Sequence, residues 1–234
     1  MGSKGPQPFD RRLASIIDQT IMRPEATPEQ IVAEARLARQ FGFACFYVNP
    51  VHVPLAAREL EGSGVKVGTG VGFPFGALSG LIKALETREA IACGADEIDM
   101  VINIGAARQG DYSTVRREIE TVLRAADPKP LKVLLETAYL DEERIVHLCR
   151  IAKELGAAFV KTSSGFAPRG ASVEHVRLMR QTVGPQMGVK AAGGIRTREF
   201  ALQLVEAGAN RLGTSMGVKL VSELSGGEGA GVLP

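Results

Sequence analysis

Short runs of apolar residues alternate with longer segments of helical periodicity along most of the 234-residue chain. The short runs end at Gly, Pro or Asn, which is typical of buried strands. The longer segments place apolar residues three or four positions apart, as in helices that cover a sheet. The pattern predicts eight strands, at residues 18–20, 43–48, 65–73, 97–103, 131–136 and 210–213 and in the two segments that carry Lys161 and Lys190.

Helix signals separate the predicted strands. Thr27-Pro-Glu-Gln30 combines a threonine suited to the N-cap, a proline at the first helical position and a glutamine at the third. It predicts a helix that begins at this point. In a later helix predicted over residues 79–93, the apolar spacing indicates that five residues face the core, namely Leu81, Ile82, Leu85, Ala90 and Ile91.

Strand and helix alternate without a linker between residues 20 and 224. Such alternation predicts an α/β protein with a parallel sheet and helical crossovers. Eight units in about 200 residues fit a single compact (β/α)8 barrel, with a doubly wound sheet as the alternative. We therefore predict a barrel domain over residues 9–224 with a short extra N-terminal helix. Residues 1–8 are expected to be flexible, and the glycine-rich residues 225–234 are expected to be disordered.

Composition and charge narrow the class of function. The net charge is +2 and no basic block is interleaved with aromatic residues, so nucleic acid is not an expected partner. No apolar run approaches the roughly 18 residues that cross a membrane, and the first residues lack the core of a signal peptide. The three cysteines are widely spaced and the three histidines lack metal-ligand spacing. A soluble cytoplasmic protein without a metal site is expected.

Two lysines stand inside otherwise apolar predicted strands. Lys161 and Lys190 each lie near the end of a strand, are followed by a glycine-containing loop and are one βα unit apart. The active site of a barrel lies at these strand ends, so the two side chains are expected to meet. One such lysine could simply extend to solvent. Two buried ammonium groups repel each other, so at least one is expected to be neutral near pH 7 and able to attack a carbonyl group.

Other polar residues lie at the same strand ends. Asp99 interrupts a mostly apolar strand, either as a structural carboxylate or as an acid that holds a protonated lysine and relays protons. Glu97 shares its face but lies deeper. The remaining polar candidates are Asp18, Thr20, Asn49, Asn103, Glu136 and Ser163. Backbone N–H groups at the ends of the seventh and eighth strands can bind phosphate, and the candidates there are Gly193, Gly194, Gly213 and Ser215.

Several motifs follow one another in a fixed order. They are Ile17-Asp-Gln-Thr20, Val48-Asn-Pro50, Val67-Gly-Thr-Gly-Val-Gly-Phe-Pro-Phe-Gly76, Ala95-Asp-Glu-Ile-Asp-Met-Val-Ile-Asn103, Glu136-Thr-Ala-Tyr-Leu140, Phe159-Val-Lys-Thr-Ser-Ser-Gly165, Val189-Lys-Ala-Ala-Gly-Gly-Ile-Arg196 and Leu212-Gly-Thr-Ser215. In this order they resemble the deoxyribose-phosphate aldolases, a family of class I (Schiff-base) aldolases on a (β/α)8 barrel. The resemblance covers nearly the whole chain, from about residue 13 to residue 224.

The resemblance implies reversible cleavage of 2-deoxy-D-ribose 5-phosphate to D-glyceraldehyde 3-phosphate and acetaldehyde, with no cofactor or metal. It implies that Lys161 forms the Schiff base, Lys190 lowers the pKa of Lys161 and Asp99 relays protons. Asp18 would join this polar network and Thr20 would lie near the substrate. The residues that it places around the phosphate are Gly165, Gly193, Gly194, Gly213 and Ser215. Family members are often dimers or tetramers, so a homo-oligomer is expected.

Four positions depart from the family's pattern. Gln19 stands where His is common, Arg23 where Lys is common and Met216 where a second Ser is frequent. Tyr47 stands where some members carry a cysteine near the site, which predicts tolerance of high acetaldehyde concentrations.

Two alternatives remain open. One is another Schiff-base aldolase on the same barrel, similar to transaldolase. The other is a non-catalytic barrel that binds sugar phosphates, and it is disfavoured because both lysines and the partner carboxylate are retained.

Overall fold

The computed structural model describes residues 8–223. All but Pro8 of the predicted flexible start, and the whole of the predicted glycine-rich tail, lie outside the described residues. Eight parallel strands form a closed barrel in chain order, with β8 paired to β1. The strands are β1 (Ile17–Ile21), β2 (Cys45–Val48), β3 (Lys66–Val71), β4 (Glu97–Val101), β5 (Leu131–Leu134), β6 (Phe159–Lys161), β7 (Gly188–Ala192) and β8 (Arg211–Thr214). The predicted (β/α)8 barrel is confirmed and the doubly wound alternative is wrong.

Helices connect the strands and cover the outside of the barrel. They are α1 (Arg11–Ala14), α2 (Pro28–Phe41), α3 (Val53–Leu60), α4 (Gly80–Ala92), α5 (Ile104–Gln109), α6 (Tyr112–Ala126), α7 (Glu142–Glu154), α8 (Val173–Val183), α9 (Arg198–Glu206) and α10 (Gly217–Ser222), with 3₁₀ turns at Pro50–His52 and Thr137–Tyr139. The short N-terminal helix is present as α1. The predicted capping box opens α2, where Thr27 and Gln30 bond each other's backbone N–H groups. None of the helices in this range is long and apolar enough to cross a membrane.

The hydrophobic core lies between the strands and the helices. Side chains alternate along each strand, so that Ile98 and Met100 of β4 point outward into this layer while Asp99 points inward. In many such barrels branched apolar side chains fill the interior. Here charged side chains from several strands take much of that space, and all of them are buried or half-buried.

The predicted inner face of α4 is confirmed for Ala90, which is buried, and for Ile91, which packs against the core, but it is wrong for the other three residues. Leu81, Ile82 and Leu85 are 66%, 43% and 49% exposed. Besides Ala90, the buried stripe of this helix contains Lys83 and the small or short residues Ala84 and Thr87. These residues recur at helical spacing and let α4 lie close against α6. In the first half of α4, hydrophobicity therefore indicated the wrong face, because packing there depends on side-chain size.

Candidate active site

A cavity of about 660 Å³ opens at the C-terminal end of the barrel. Its lining comes mainly from the ends of β1, β6, β7 and β8 and the loops that follow them. Seven of the predicted site residues line it, namely Thr20, Lys161, Gly165, Gly193, Gly194, Gly213 and Ser215. The remaining three, Asp18, Asp99 and Lys190, are buried beneath this lining. Lys190 contacts both carboxylates, and Asp99 also contacts Lys161. The strand ends thus bring all ten predicted residues to one region.

Lys161 and Lys190 are direct neighbours in the pairing of β6 with β7. Lys161 is only 4% exposed to solvent, and Lys190 only 1%. Both ammonium nitrogens contact one oxygen of Asp99, with Nζ–Oδ2 distances of 2.6 Å for Lys161 and 2.8 Å for Lys190. Lys190 has a second carboxylate partner, since its Nζ lies 2.6 Å from Oδ2 of Asp18. The two lysines therefore share one carboxylate, but only Lys190 is bound by two.

This difference separates the pKa values of the two amines. The pKa of Lys161 is lowered to about 8, because burial and the nearby charge of Lys190 together outweigh the opposing attraction of Asp99. Burial also disfavours the charge on Lys190, but Asp18 and Asp99 outweigh it and raise the pKa of Lys190. Burial favours the neutral form of Asp99, yet the surrounding lysines hold its pKa well below the usual range. Near neutral pH, Lys161 is the amine that more readily loses its proton.

The predicted phosphate-side residues form one wall of the cavity. Gly193 and Gly194 have positive φ angles of 85° and 77°, a conformation that suits glycine. A Cβ at Gly213 would lie 3.0 Å from Cβ of Ala192, so this position also has little space for a side chain. Ser215 is exposed to the cavity. Two arginines, Arg23 and Arg196, line the same cavity and bring positive charge to it.

The other strand-end candidates do not join the lysines in the described contacts. Asn49 donates to the carbonyl oxygen of Arg23, and Asn103 caps α5 by accepting from Ala106 N. Glu136 accepts hydrogen bonds from the backbone N–H and the hydroxyl of Ser164. Ser163 is buried, and its hydroxyl has no hydrogen-bond partner within residues 8–223. These side chains mainly shape the loops.

A second ion cluster inside the barrel consists of Glu97, Lys132 and Arg211. Of these, Lys132 and Arg211 were not among the predicted site residues. Lys132 contacts Glu97, and Arg211 lies 3.2 Å from the same carboxylate. Arg211 also binds Asp18 at 2.8 Å, which links this cluster to the lysine pair. A sequence signal existed for Lys132, which interrupts an apolar strand as Lys161 does. Glu97 lies in this deeper cluster, in agreement with its expected lower rank.

One group of possible metal ligands is present among the described residues, formed by Asp18, Cys45 and Glu97. Both carboxylates are already bound by cationic side chains, namely Lys190, Lys132 and Arg211. Burial and the nearby carboxylates raise the pKa of the Cys45 thiol well above its usual value. The donor set is therefore arranged for the protein's own ammonium and guanidinium groups.

Comparison with known proteins agrees with this architecture. The family model described as DeoC/LacD family aldolase matches residues 7–223. A deoxyribose-phosphate aldolase of Thermococcus gammatolerans is 53% identical over 213 residues, which cover 89% of this chain and 95% of the relative. One from Clostridium tetani is 49% identical over 90% of this chain and 98% of its own length.

A solved structure gives the same result at the level of the fold. The deoxyribose phosphate aldolase of Aeropyrum pernix, described as a tetramer, superposes with a TM-score of 0.84 at 33% identity and 90% coverage of both chains. The sequence match extends over the barrel and includes every strand that contributes to the cavity. This chain belongs to the DeoC/LacD family of aldolases.

Proposed function

We propose that the protein catalyses the reversible cleavage of 2-deoxy-D-ribose 5-phosphate to D-glyceraldehyde 3-phosphate and acetaldehyde through a Schiff base on Lys161. The observation that carries this proposal is the pairing of Lys161 with Lys190 on a shared carboxylate, at the floor of an open cavity. The lowered pKa of Lys161 supplies a neutral amine near pH 8, which carbonyl attack requires. Family membership supports the choice of an aldol substrate.

The reaction begins when the neutral Lys161 amine attacks the C1 aldehyde of the open-chain sugar. The carbinolamine takes a proton on its hydroxyl and loses water, which leaves a protonated imine. Lys190 stays charged between Asp18 and Asp99, so it can donate a proton in this step. Asp99 contacts both amines through one oxygen and can carry a proton between them.

Bond cleavage follows from the electron demand of the protonated imine. A base removes the proton of the C3 hydroxyl, the C2–C3 bond breaks, and its electron pair forms the enamine while glyceraldehyde 3-phosphate leaves. Protonation of the enamine at C2 and hydrolysis of the imine release acetaldehyde and restore the Lys161 amine. Asp99, acting through a water or through Lys190, is the proposed proton relay.

The phosphate is proposed to bind at the glycine-rich wall of the same cavity. Backbone N–H groups in the loops that contain Gly165, Gly193 and Gly194 can approach an anion closely because no Cβ intervenes. Ser215 adds a hydroxyl group. Arg23 and Arg196 provide positive charge that offsets the phosphate dianion. Thr20 lines the same cavity and is proposed to face the sugar.

A homo-oligomer is also proposed. The outer face of α4 exposes Leu81, Ile82 and Leu85, and Phe75 before it is 73% exposed. Such an apolar strip is typical of an interface between subunits, and the Aeropyrum pernix relative is described as a tetramer. Replacing Leu81 and Leu85 with Glu is expected to lower the oligomer mass measured by light scattering. We further propose a cytoplasmic location, which the three free cysteines support.

Reductive trapping tests the proposed chemistry. The protein is incubated with acetaldehyde or deoxyribose 5-phosphate, reduced with borohydride, and its peptides are mapped by mass spectrometry. An N-ethyl group on Lys161 is expected with acetaldehyde, and none in Lys161→Leu. If acetaldehyde gives no adduct while a ketose phosphate does, a transaldolase-like reaction is favoured. No adduct with either compound would leave only the sugar-phosphate-binding barrel.

A further inference from the structure

Tyr47 lies at the centre of the barrel, between the lysine pair and the second ion cluster. It belongs to β2 and is only 1% exposed. Its hydroxyl oxygen is 2.7 Å from Oδ1 of Asp99 and 2.7 Å from Nζ of Lys132. Its ring lies beneath Lys190, with the ring centroid 3.5 Å from Nζ. No step of the proposed reaction uses this side chain, although it contacts two of the groups that do.

The direction of the two hydrogen bonds is fixed by the chemistry of the partners. Lys132 as an ammonium group has only donors, so it donates to the phenolic oxygen. The single proton of Tyr47 is then directed at Oδ1 of Asp99, at 2.7 Å, because the other acceptor, Oε2 of Glu97, is 3.5 Å away. Burial and the charge of Asp99 raise the pKa of Tyr47 well above its usual value, so the hydroxyl remains a donor. This bond holds one carboxylate oxygen and leaves Oδ2 to the two catalytic lysines.

The ring makes a separate contribution. An aromatic face stabilises a cation held over it, especially where water is excluded. Lys190 lies much nearer the ring centroid than Lys161, at 3.5 Å against 5.7 Å. The ring also packs tightly against the neighbouring strand, since a Cβ added to Gly68 would overlap it, and Tyr47 as a whole is buried. It therefore favours the charge on Lys190 and keeps water away from Lys161.

We infer that Tyr47 is a positioning residue of the proposed aldolase, acting through two separable contacts. The hydroxyl orients Asp99 so that Oδ2 faces both lysines, and the ring supports the charged Lys190 and excludes water beneath the Schiff-base lysine. The inference rests on the proposed function, because it assigns Tyr47 a role in the same proton transfers. It does not involve any contact between Tyr47 and the substrate.

Three variants separate these contributions. Tyr47→Phe removes only the hydroxyl, Tyr47→Ala removes the ring as well, and Tyr112→Phe is a control that removes a hydroxyl from α6, outside the barrel. For each variant, kcat and KM for cleavage, the pH midpoint of borohydride trapping at Lys161 and the thermal unfolding midpoint are measured. The parent protein must first give the Lys161 adduct, so a failure of the proposed function is distinguished from a failure of this inference.

The expected results differ between the variants. Tyr47→Phe lowers kcat about tenfold or more, the order expected for losing one hydrogen bond to a charged group, with KM within about twofold. Its trapping midpoint stays within about half a pH unit of the parent, whereas in Tyr47→Ala it rises by about one unit because water reaches Lys161. Tyr112→Phe resembles the parent throughout.

Two outcomes overturn the inference. A kcat within twofold of the parent in Tyr47→Phe shows that Asp99 needs no orientation by the hydroxyl. Equal trapping midpoints in Tyr47→Phe and Tyr47→Ala, measured on folded protein as judged by thermal unfolding, show that the ring does not control the hydration of Lys161. A purely structural role for Tyr47 would lower the unfolding midpoint without either change.

Discussion

Lys83 and Lys161 are both buried lysines, yet their surroundings differ in kind. Lys83 extends from α4 to Glu118 of α6, where Nζ and Oε2 are 3.1 Å apart. Lys161 lies inside the barrel and meets Asp99 at 2.6 Å. Burial lowers the pKa of each lysine, and a carboxylate opposes the effect in both cases. Considered alone, the two ion pairs look alike.

The difference lies in what else each lysine meets. Lys161 has a second ammonium group beside it, on Lys190, and it lines a cavity that can admit a substrate. Lys83 has two carboxylates nearby, Glu118 and Glu86, and it does not line that cavity. Burial alone therefore does not make a lysine nucleophilic. A neighbouring cation and access to the substrate are required as well. Substitutions at Lys161 and at Lys83 test this difference.

The largest expected effect is the loss of turnover in Lys161→Leu. Removing a covalent nucleophile typically costs roughly 10⁴-fold or more in kcat. Thermal unfolding should remain cooperative, because Leu fills the site and Asp99 keeps Lys190 as a partner. The measurement is the rate of aldehyde release from deoxyribose 5-phosphate. Cleavage at even a hundredth of the parent rate would show that another amine is the nucleophile.

Breaking the Lys83–Glu118 ion pair between α4 and α6 should lower the free energy of unfolding and leave the catalytic rate unchanged. Lys83→Met leaves the Glu118 carboxylate buried without its cation, which costs about 3–5 kcal/mol in the free energy of unfolding. Urea unfolding at pH 7 measures this loss, while kcat per folded molecule is expected to stay at the parent level. The double variant Lys83→Met/Glu118→Gln should recover part of the stability, because Gln can still accept from Asn103 N. A fall in kcat with unchanged stability would reverse the comparison.

Lys190→Leu should lower kcat about a hundredfold, within the range for losing one acid–base group. The pKa of Lys161 should rise, because the charge on Lys190 is one of the causes that depress it. The pH midpoint of borohydride trapping reports this shift directly. A nearly unaffected rate together with an unchanged midpoint would refute the coupling of the two lysines.

The smallest expected effect is the pH dependence of borohydride trapping at Lys161. Since the pKa of Lys161 is about 8, trapping should rise with pH about tenfold per unit below pH 7 and level off above pH 9. The depressed pKa of Lys161 also determines how this residue's contribution to folding stability changes with pH. Between about pH 8 and the usual lysine pKa of about 10.4, the unfolded chain binds more protons at this residue, so its contribution to stability rises with pH. A trapping midpoint near pH 10 would indicate a lysine with no depressed pKa.

The barrel could be predicted because short apolar runs typical of buried strands alternate along the chain with segments of helical periodicity, which is a strong signal of this architecture. The sequence also predicted that Lys161, Lys190 and Asp99 meet, since each is a charged residue that interrupts an otherwise apolar strand of the barrel. Their roles in the reaction stay predictions. The inward face of the first half of α4 could not be predicted, because small side chains and a buried ion pair determine which side of the helix packs there. The position of Arg211 inside the barrel was not predicted either, because a charged residue at the start of a strand ordinarily reaches solvent.

The pairing of Tyr47 with Gly68 has a consequence for redesign of this barrel. The two residues are neighbours in the β2–β3 register, and any side chain at position 68 would occupy the space of the Tyr47 ring. The side chains at the two positions therefore share the same space, so a larger residue on one strand requires a smaller one on the other. A library that varies position 68 alone should yield few folded proteins, whereas paired variation of positions 47 and 68 should recover them.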